Sequence, residues 1–287
     1  GYAGHFPNPP YDKIAIRINE LGYRDRPFPP RSGQSRIVVL GDSITFGAGI
    51  AAEERYTDAA ERLCTGRCEV LNLGVNNYQT ENYRAQLERH VDALDPDIVV
   101  VGFCMNDIRP MARIDDLDKV RRSGAINRLR GVLKSSQLLR VGSAIWRATT
   151  LDAKAYDERW IRLAIEAWQD EAGRERLSNT LEQIRDFTES RGIRLVVVLF
   201  PEKHQLEDFE AYGLPYSMAE KAMAELGIPT ISLLPRMKSA IERGELAPTE
   251  IFLPKDNIHF TPRVHEWIAK ILIDHLPLEI PRDTEQS

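Results

Sequence analysis

Runs such as Ile37-Val38-Val39-Leu40 and Ile98-Val99-Val100-Val101 are apolar with no polar residue between. A strand covered on both faces, as in a parallel sheet, carries that pattern rather than an alternating one. On this basis five strands are predicted, at Ser35 to Leu40, Glu69 to Leu73, Asp97 to Gly102, Leu195 to Phe200 and Thr230 to Leu234. Between them the pattern turns helical. Leu87, Val91 and Leu94 fall on one face of a helix over 80–94, which Pro96 ends. Further helices are expected from 43 to about 63, over 174–191, 217–226 and 234–243, and from about 263 to 275.

Strands that alternate with helices in this way predict an α/β fold. The expected form is a three-layer α/β/α sandwich with a mostly parallel five-stranded sheet, flavodoxin-like in class. Residues 1–34 are rich in Pro, Gly and Arg and read as an N-terminal arm with a short strand at Ile14 to Ile18. The main domain is expected over 35–280, with a tail at 281–287. Residues 108–170 break the rhythm. They hold no strand signal, and Ile126, Leu129, Val132, Leu133, Leu138 and Leu139 recur at helical spacing. A helical insertion after the third strand is therefore expected. From Ile108 to Thr150 there are ten Lys or Arg and three Asp, a local charge of +7. Two readings stand: a solvated helix pair packed on the domain, or a cap that meets an anionic substrate or a membrane surface.

Composition narrows the function classes. The net charge over 287 residues is −5, which disfavours a general nucleic-acid binder. The longest apolar run, Leu195 to Phe200, is far short of a bilayer-spanning helix. Three cysteines do not make a disulfide framework. Cys64 and Cys68 are either bridged, in an exported protein, or two reduced thiols near a helix end. No second cluster of Cys or His stands at metal-ligand spacing, so a zinc site is not expected; no metal and no cofactor are expected. The chain starts at Gly1 without Met, so a signal or anchor was removed or never existed. The compartment stays open, with export (periplasmic or secreted) favoured over the cytoplasm.

In a parallel α/β sheet the loops at the carboxyl ends of the strands build the site. Three of them are informative. Gly41-Asp42-Ser43 ends the first strand ahead of a helix, where a serine hydroxyl is exposed and its N–H points to a developing oxyanion. Gly47-Ala48-Gly49 is not followed by Lys-Ser or Lys-Thr, which rejects a phosphate loop. Gly74 follows the second strand and lets its N–H approach a substrate closely. Asn106 follows the third and can donate its side-chain N–H to the same point. A serine nucleophile needs a base and an orienting acid. Of the six histidines, His259 lies three residues after Asp256 in a loop before the last helix, so one loop delivers both groups. His265 is the rival base, but its place within the helix suits a structural role. His5 lies in the arm, and His90, His204 and His275 carry no motif.

Taken together these blocks resemble the SGNH hydrolase family, also called GDSL-type esterases and lipases. The matching residues are Gly41-Asp42-Ser43-Ile44-Thr45-Phe46-Gly47, Asn72-Leu73-Gly74, Asn106-Asp107 and Asp256-Asn257-Ile258-His259, within a span from about Arg36 to His275. The resemblance implies catalytic roles for Ser43, Asp256 and His259, and an oxyanion hole from Ser43, Gly74 and Asn106. It implies a serine hydrolase that cleaves carboxylic esters of small to medium acyl groups through an acyl-enzyme. Close alternatives are a polysaccharide O-acetyltransferase or deacetylase and a lipid-active esterase, with peripheral membrane contact through 108–150. A non-catalytic binding module is disfavoured by the intact set. The implied partner is a small-molecule or carbohydrate ester. The sequence departs from the family pattern at Cys104, where a Gly is usual, at Asn77, where a second Gly is common, and at Val264-His265, where Gly-His is common. None of these removes a catalytic group.

Overall fold

The structure is a computed structural model, and it describes residues 2–5, 14–108 and 153–278. Most of the expected insertion and its basic stretch, and the tail at 281–287, lie outside the described residues.

Five parallel strands form the main sheet in the order β4-β3-β5-β6-β7. They are β3 (Ser35–Gly41), β4 (Cys68–Asn72), β5 (Ile98–Phe103), β6 (Arg194–Leu199) and β7 (Thr230–Ser232). Every residue of β3, β4 and β5 is buried, as their unbroken apolar patterns require. Side chains alternate between two cores. Val38, Leu40, Val99 and Val101 meet one helical layer, with Leu87 and Val91 of α3 (Thr80–Leu94) and Leu181 and Ile184 of the helix Glu171–Glu189. Ile37, Val39, Ile98 and Val100 meet the other, with Ala59 and Ala60 of α2 (Tyr56–Leu63) and Ile268 and Leu272 of the last helix, Pro262–His275. Each of these larger side chains contributes about 1.5–3 kcal/mol on full burial. The three-layer sandwich and the five-stranded parallel sheet are thus as expected.

Several elements differ from the sequence-based expectation. The helix expected from 43 to 63 is three pieces: α1 (Ser43–Phe46), a 3-10 turn (Ala52–Glu54) and α2. Gly47 and Gly49 take left-handed backbone at φ 79° and 82°, which stops α1 after one turn. The helix expected from 174 starts at Glu171, because Asp170 caps it by accepting from Gly173 N at 2.8 Å. It follows a helix at Ala153–Gln169, within the segment expected to be helical. In the arm, β2 (Ala15–Ile18) pairs antiparallel with β1 (Tyr2–His5) in a separate two-stranded sheet. Cys64 and Cys68 are joined as a disulfide between α2 and β4. Among the described residues no helix is long and apolar enough to cross a membrane.

Candidate active site

Ser43 opens α1 directly beyond β3. The turn is built by its neighbours. Asp42 accepts from Ile44 N at 3.0 Å and so caps the helix. Gly41 and Gly102, paired across β3 and β5, leave room for Thr45, whose hydroxyl meets Tyr56 Oη at 2.8 Å. A Cβ on Gly41 would stand 2.0 Å from Thr45 Oγ1.

Asp256 and His259 come from a loop closed on itself. Asp256 N donates to Leu253 O, Leu253 N donates to His259 O, and Phe252 bridges Phe260 across its base. The Asp256 carboxylate accepts from Ile258 N and His259 N, each at 2.9 Å, and from His259 Nδ1 at 2.8 Å. With Nδ1 carrying its proton towards Asp256, Nε2 is the accepting nitrogen, and Ser43 Oγ lies 2.8 Å from it. Burial works against charge on Asp256, yet the hydrogen bonds and charge of His259 hold its carboxyl below the ordinary value. Burial likewise works against the imidazolium of His259, but the hydrogen bond and charge of Asp256, with Asp42 beyond, raise it. The loop is tied to the β6 edge by Lys203 N donating to Asn257 O at 2.9 Å.

Asn106 sits in a 3-10 turn, Met105–Ile108, after β5. Asp107 fastens that turn by accepting from Cys104 N and Tyr83 Oη, each at 2.9 Å. Trp168 Nε1 donates to Met105 O at 2.7 Å and pins it from the other side. The Asn106 side chain lies beside the Asp42 carboxylate and favours its charged form. Gly74 packs against the backbone of Thr45 and Phe46, and its N–H donates to Asn72 Oδ1 at 2.8 Å. One of the expected oxyanion donors, the Gly74 N–H, therefore already holds an internal acceptor. Burial pushes the Asp42 carboxyl up, against the hydrogen bond from Ile44 N and the charge of His259. Burial and the charge of Asp42 push Asp107 well up.

A serine bonded to an imidazole, itself bonded to a carboxylate, is an arrangement able to attack an acyl carbon. The profile of the GDSL-like Lipase/Acylhydrolase family matches residues 39–267, most of the chain. The chain belongs to that family. It is accordingly a hydrolase of the SGNH/GDSL esterase type. The fold agrees with solved structures of low identity. The chain is similar to a lipase/acylhydrolase from Enterococcus faecalis, with 16% identity, a TM-score of 0.50, and coverage of 88% of this chain and 100% of that one. It is similar to a catalytic mutant of Axe2, an acetylxylan esterase from Geobacillus stearothermophilus, at 14% identity and a TM-score of 0.51, covering 87% and 97%. The acetyl xylan esterase AlAXEase gives 14% identity and a TM-score of 0.50 over 84% and 99%. No curated protein matches the chain in sequence.

In this GDSL-like acylhydrolase the rival base His265 stands elsewhere. It is buried, stacks on Tyr56, and its Nδ1 accepts from Tyr56 N at 3.1 Å. Burial and the charges of His259 and Arg55 lower it to about 3. Sequence reasoning missed a fourth loop at the same sheet edge, after β6. There Glu202 lies 3.3 Å from His204 Nε2, and Glu202, His204 and Gln205 are all buried. Pro201-Glu202-Lys203-His204 follows an apolar run in the same way as the other loops, and that position was the available signal.

Among the described residues no group of acidic, His and Cys side chains could hold a metal ion.

Proposed function

We propose that the enzyme cleaves carboxylic esters of small to medium acyl groups, with acetyl esters of carbohydrates first among them. Ser43 is the nucleophile, His259 the base and Asp256 the group that orients it. The observation that carries this reading is the unbroken chain Asp256–His259–Ser43, with both side-chain links at 2.8 Å. Small acyl groups are favoured because two of the similar structures are acetyl xylan esterases. Another, at 15% identity and a TM-score of 0.50 over 87% of this chain and 51% of that one, is a two-domain esterase active on acetylated mannans. We assign the catalytic unit to residues 35–280.

His259 Nε2 takes the Ser43 proton as Oγ bonds to the acyl carbon. The carbonyl electrons move to oxygen, which accepts hydrogen bonds from the Ser43 N–H and an Asn106 side-chain N–H; Gly74 N–H joins by sharing its proton with Asn72 Oδ1. One lost donor of this kind costs about 2.7–4 kcal/mol in other hydrolases. As the ester C–O bond breaks, His259 returns the proton to the alcohol. Water then gives a proton to His259 as its oxygen bonds to the acyl carbon; the bond from that carbon to Ser43 Oγ breaks, His259 returns the proton to Oγ, and the free acid leaves.

The test is hydrolysis of p-nitrophenyl acetate, butyrate, octanoate and palmitate by wild type and Ser43→Ala. Turnover should fall with chain length and vanish in the variant, which stays folded. A preference for palmitate would overturn the substrate class; full activity in Ser43→Ala would overturn the mechanism.

A further inference from the structure

We infer that the arm segment Arg24-Asp25 is a positioning element of the active site, setting the place of the Ser43 turn and the Asn72–Gly74 turn. The inference rests on the roles proposed above for Ser43 and the oxyanion donors. It starts from a weakness of α1. One helical turn cannot sustain itself, and its last carbonyls have no partner within the helix. Arg24 supplies them. Its guanidinium donates to Gly47 O at 2.6 Å and Phe46 O at 3.0 Å from Nη1, and to Ile50 O at 2.8 Å from Nη2. It lies over the Phe46 ring, with 5.3 Å from Cζ to the centroid.

Asp25 reaches the second turn. Its carboxylate accepts from Asn72 N at 2.8 Å. Asn72 in turn donates from Nδ2 to Thr45 O at 2.7 Å and accepts from Gly74 N at 2.8 Å. Two neighbouring arm residues thus grip both turns, and Asn72 connects the turns to each other. Arg55 locks the pair, donating to Arg24 O and meeting Asp25 Oδ1 at 3.4 Å. The arm is shaped to present them. Gly22 takes left-handed backbone at φ 94°, and Asn19 accepts from Leu21 N and Tyr23 N while donating to Arg26 O. Arg24 and Asp25 are only 1% and 7% exposed, so the grip is sheltered from water.

A misplacement of about 1 Å costs on the order of 100-fold in rate. Loosening the grip should therefore lower kcat with little change in KM, since Arg24 and Asp25 are buried and spend their polar atoms on the two turns. The comparison residue is Arg36. It is equally buried, pairs with Glu69 at 2.8 Å and donates to Leu94 O and Pro30 O, but at the opposite end of β3 from Ser43. The variants are Arg24→Gln, Arg24→Lys, Asp25→Asn and Arg36→Gln, with Ser43→Ala beside them. Tm, kcat, KM and the rate of Ser43 labelling by a fluorophosphonate are measured well below each Tm. Arg24→Gln and Asp25→Asn should lose kcat and labelling rate by about 10- to 100-fold at nearly constant KM. Arg24→Lys should regain part of the loss, and Arg36→Gln should lose Tm alone. If Arg36→Gln loses as much kcat for an equal fall in Tm, the arm only stabilises and the inference is overturned. Should Arg24→Gln not fold, Asp25→Asn against Arg36→Gln decides in the same way. Turnover surviving in Ser43→Ala would instead remove the proposed mechanism, a separate failure from that of the arm.

Discussion

Gly74→Ala adds one methyl group at the tightest approach between two active-site turns. A Cβ there would lie 2.4 Å from Phe46 N, 2.6 Å from Thr45 C and 2.8 Å from Thr45 Cβ. Ordinary van der Waals contact begins near 3.4 Å, so the turns must part by about 1 Å. Two of the three atoms are main chain, which no rotamer change moves aside. Gly74 is not among the residues with positive φ, so alanine carries no backbone strain of its own. Its N–H is also kept, so no donor is lost. The cost is the collision alone. Overpacking of this kind costs about 1–3 kcal/mol of stability. A 1 Å shift of Ser43 against its donors costs about 100-fold in rate, or about 2.7 kcal/mol. The assay is kcat/KM on p-nitrophenyl acetate well below Tm, with a thermal melt alongside. A variant with unchanged Tm and kcat/KM within about threefold of wild type, under about 0.7 kcal/mol, would refute the close-packing argument.

Asp256→Asn should cost less activity than His259→Ala, because it removes the orienting group and leaves the base; equal losses on the same ester would contradict the assignment. Activity needs neutral Nε2, so kcat/KM should rise with pH through an apparent pKa above the ordinary histidine value of 6.5, and that limb should move to lower pH in Asp256→Asn. The pair also links stability to pH. The raised His259 contributes stability below 6.5 and loses it as pH climbs through its folded value, whereas the lowered Asp256 contributes above 3.8 and loses it as pH falls through its folded value. The Tm gap between wild type and Asp256→Asn should therefore be widest between 3.8 and 6.5. His265→Ala should lower stability by about 2–4 kcal/mol in a urea melt, through a cavity and an orphaned Tyr56 N–H, while kcat stays close to that of wild type. Replacing Cys64 and Cys68 by Ser should lower stability by about 2 kcal/mol, as expected for so short a loop; no change would mean that the bridge constrains nothing in the unfolded chain.

The central strands were legible because burial on both faces leaves a local trace, the unbroken apolar run. Asp256 and His259 were legible as a pair because three residues separate them, and Ser43 was legible by its place at a strand end; that Ser43 Oγ meets His259 Nε2, 216 residues away, is shown by the fold. The break after α1 had a signal in Gly47 and Gly49, the residue type that most readily takes left-handed backbone and ends a helix, but the apolar pattern beyond them favours continued helix. The grip of Arg24 on Phe46 and of Asp25 on Asn72 spans 22 and 47 residues, and no periodicity records a contact at such distance. The polar loop after β6 was passed over for a different reason. Glu202 and His204 look like surface residues in sequence, and only the fold shows them buried.

The bond between Ser43 and His259 closes across 216 residues, and His265 meets Tyr56 across 209. Translation adds about 5–20 residues per second, so Ser43, the proposed nucleophile, is made roughly 10–40 s before His259, its proposed base. Throughout that interval the serine has no imidazole to accept its proton. On the proposed mechanism a nascent chain is therefore unable to attack esters until the last helix packs against α2, and the late arrival of one histidine sets the moment at which the enzyme begins to work.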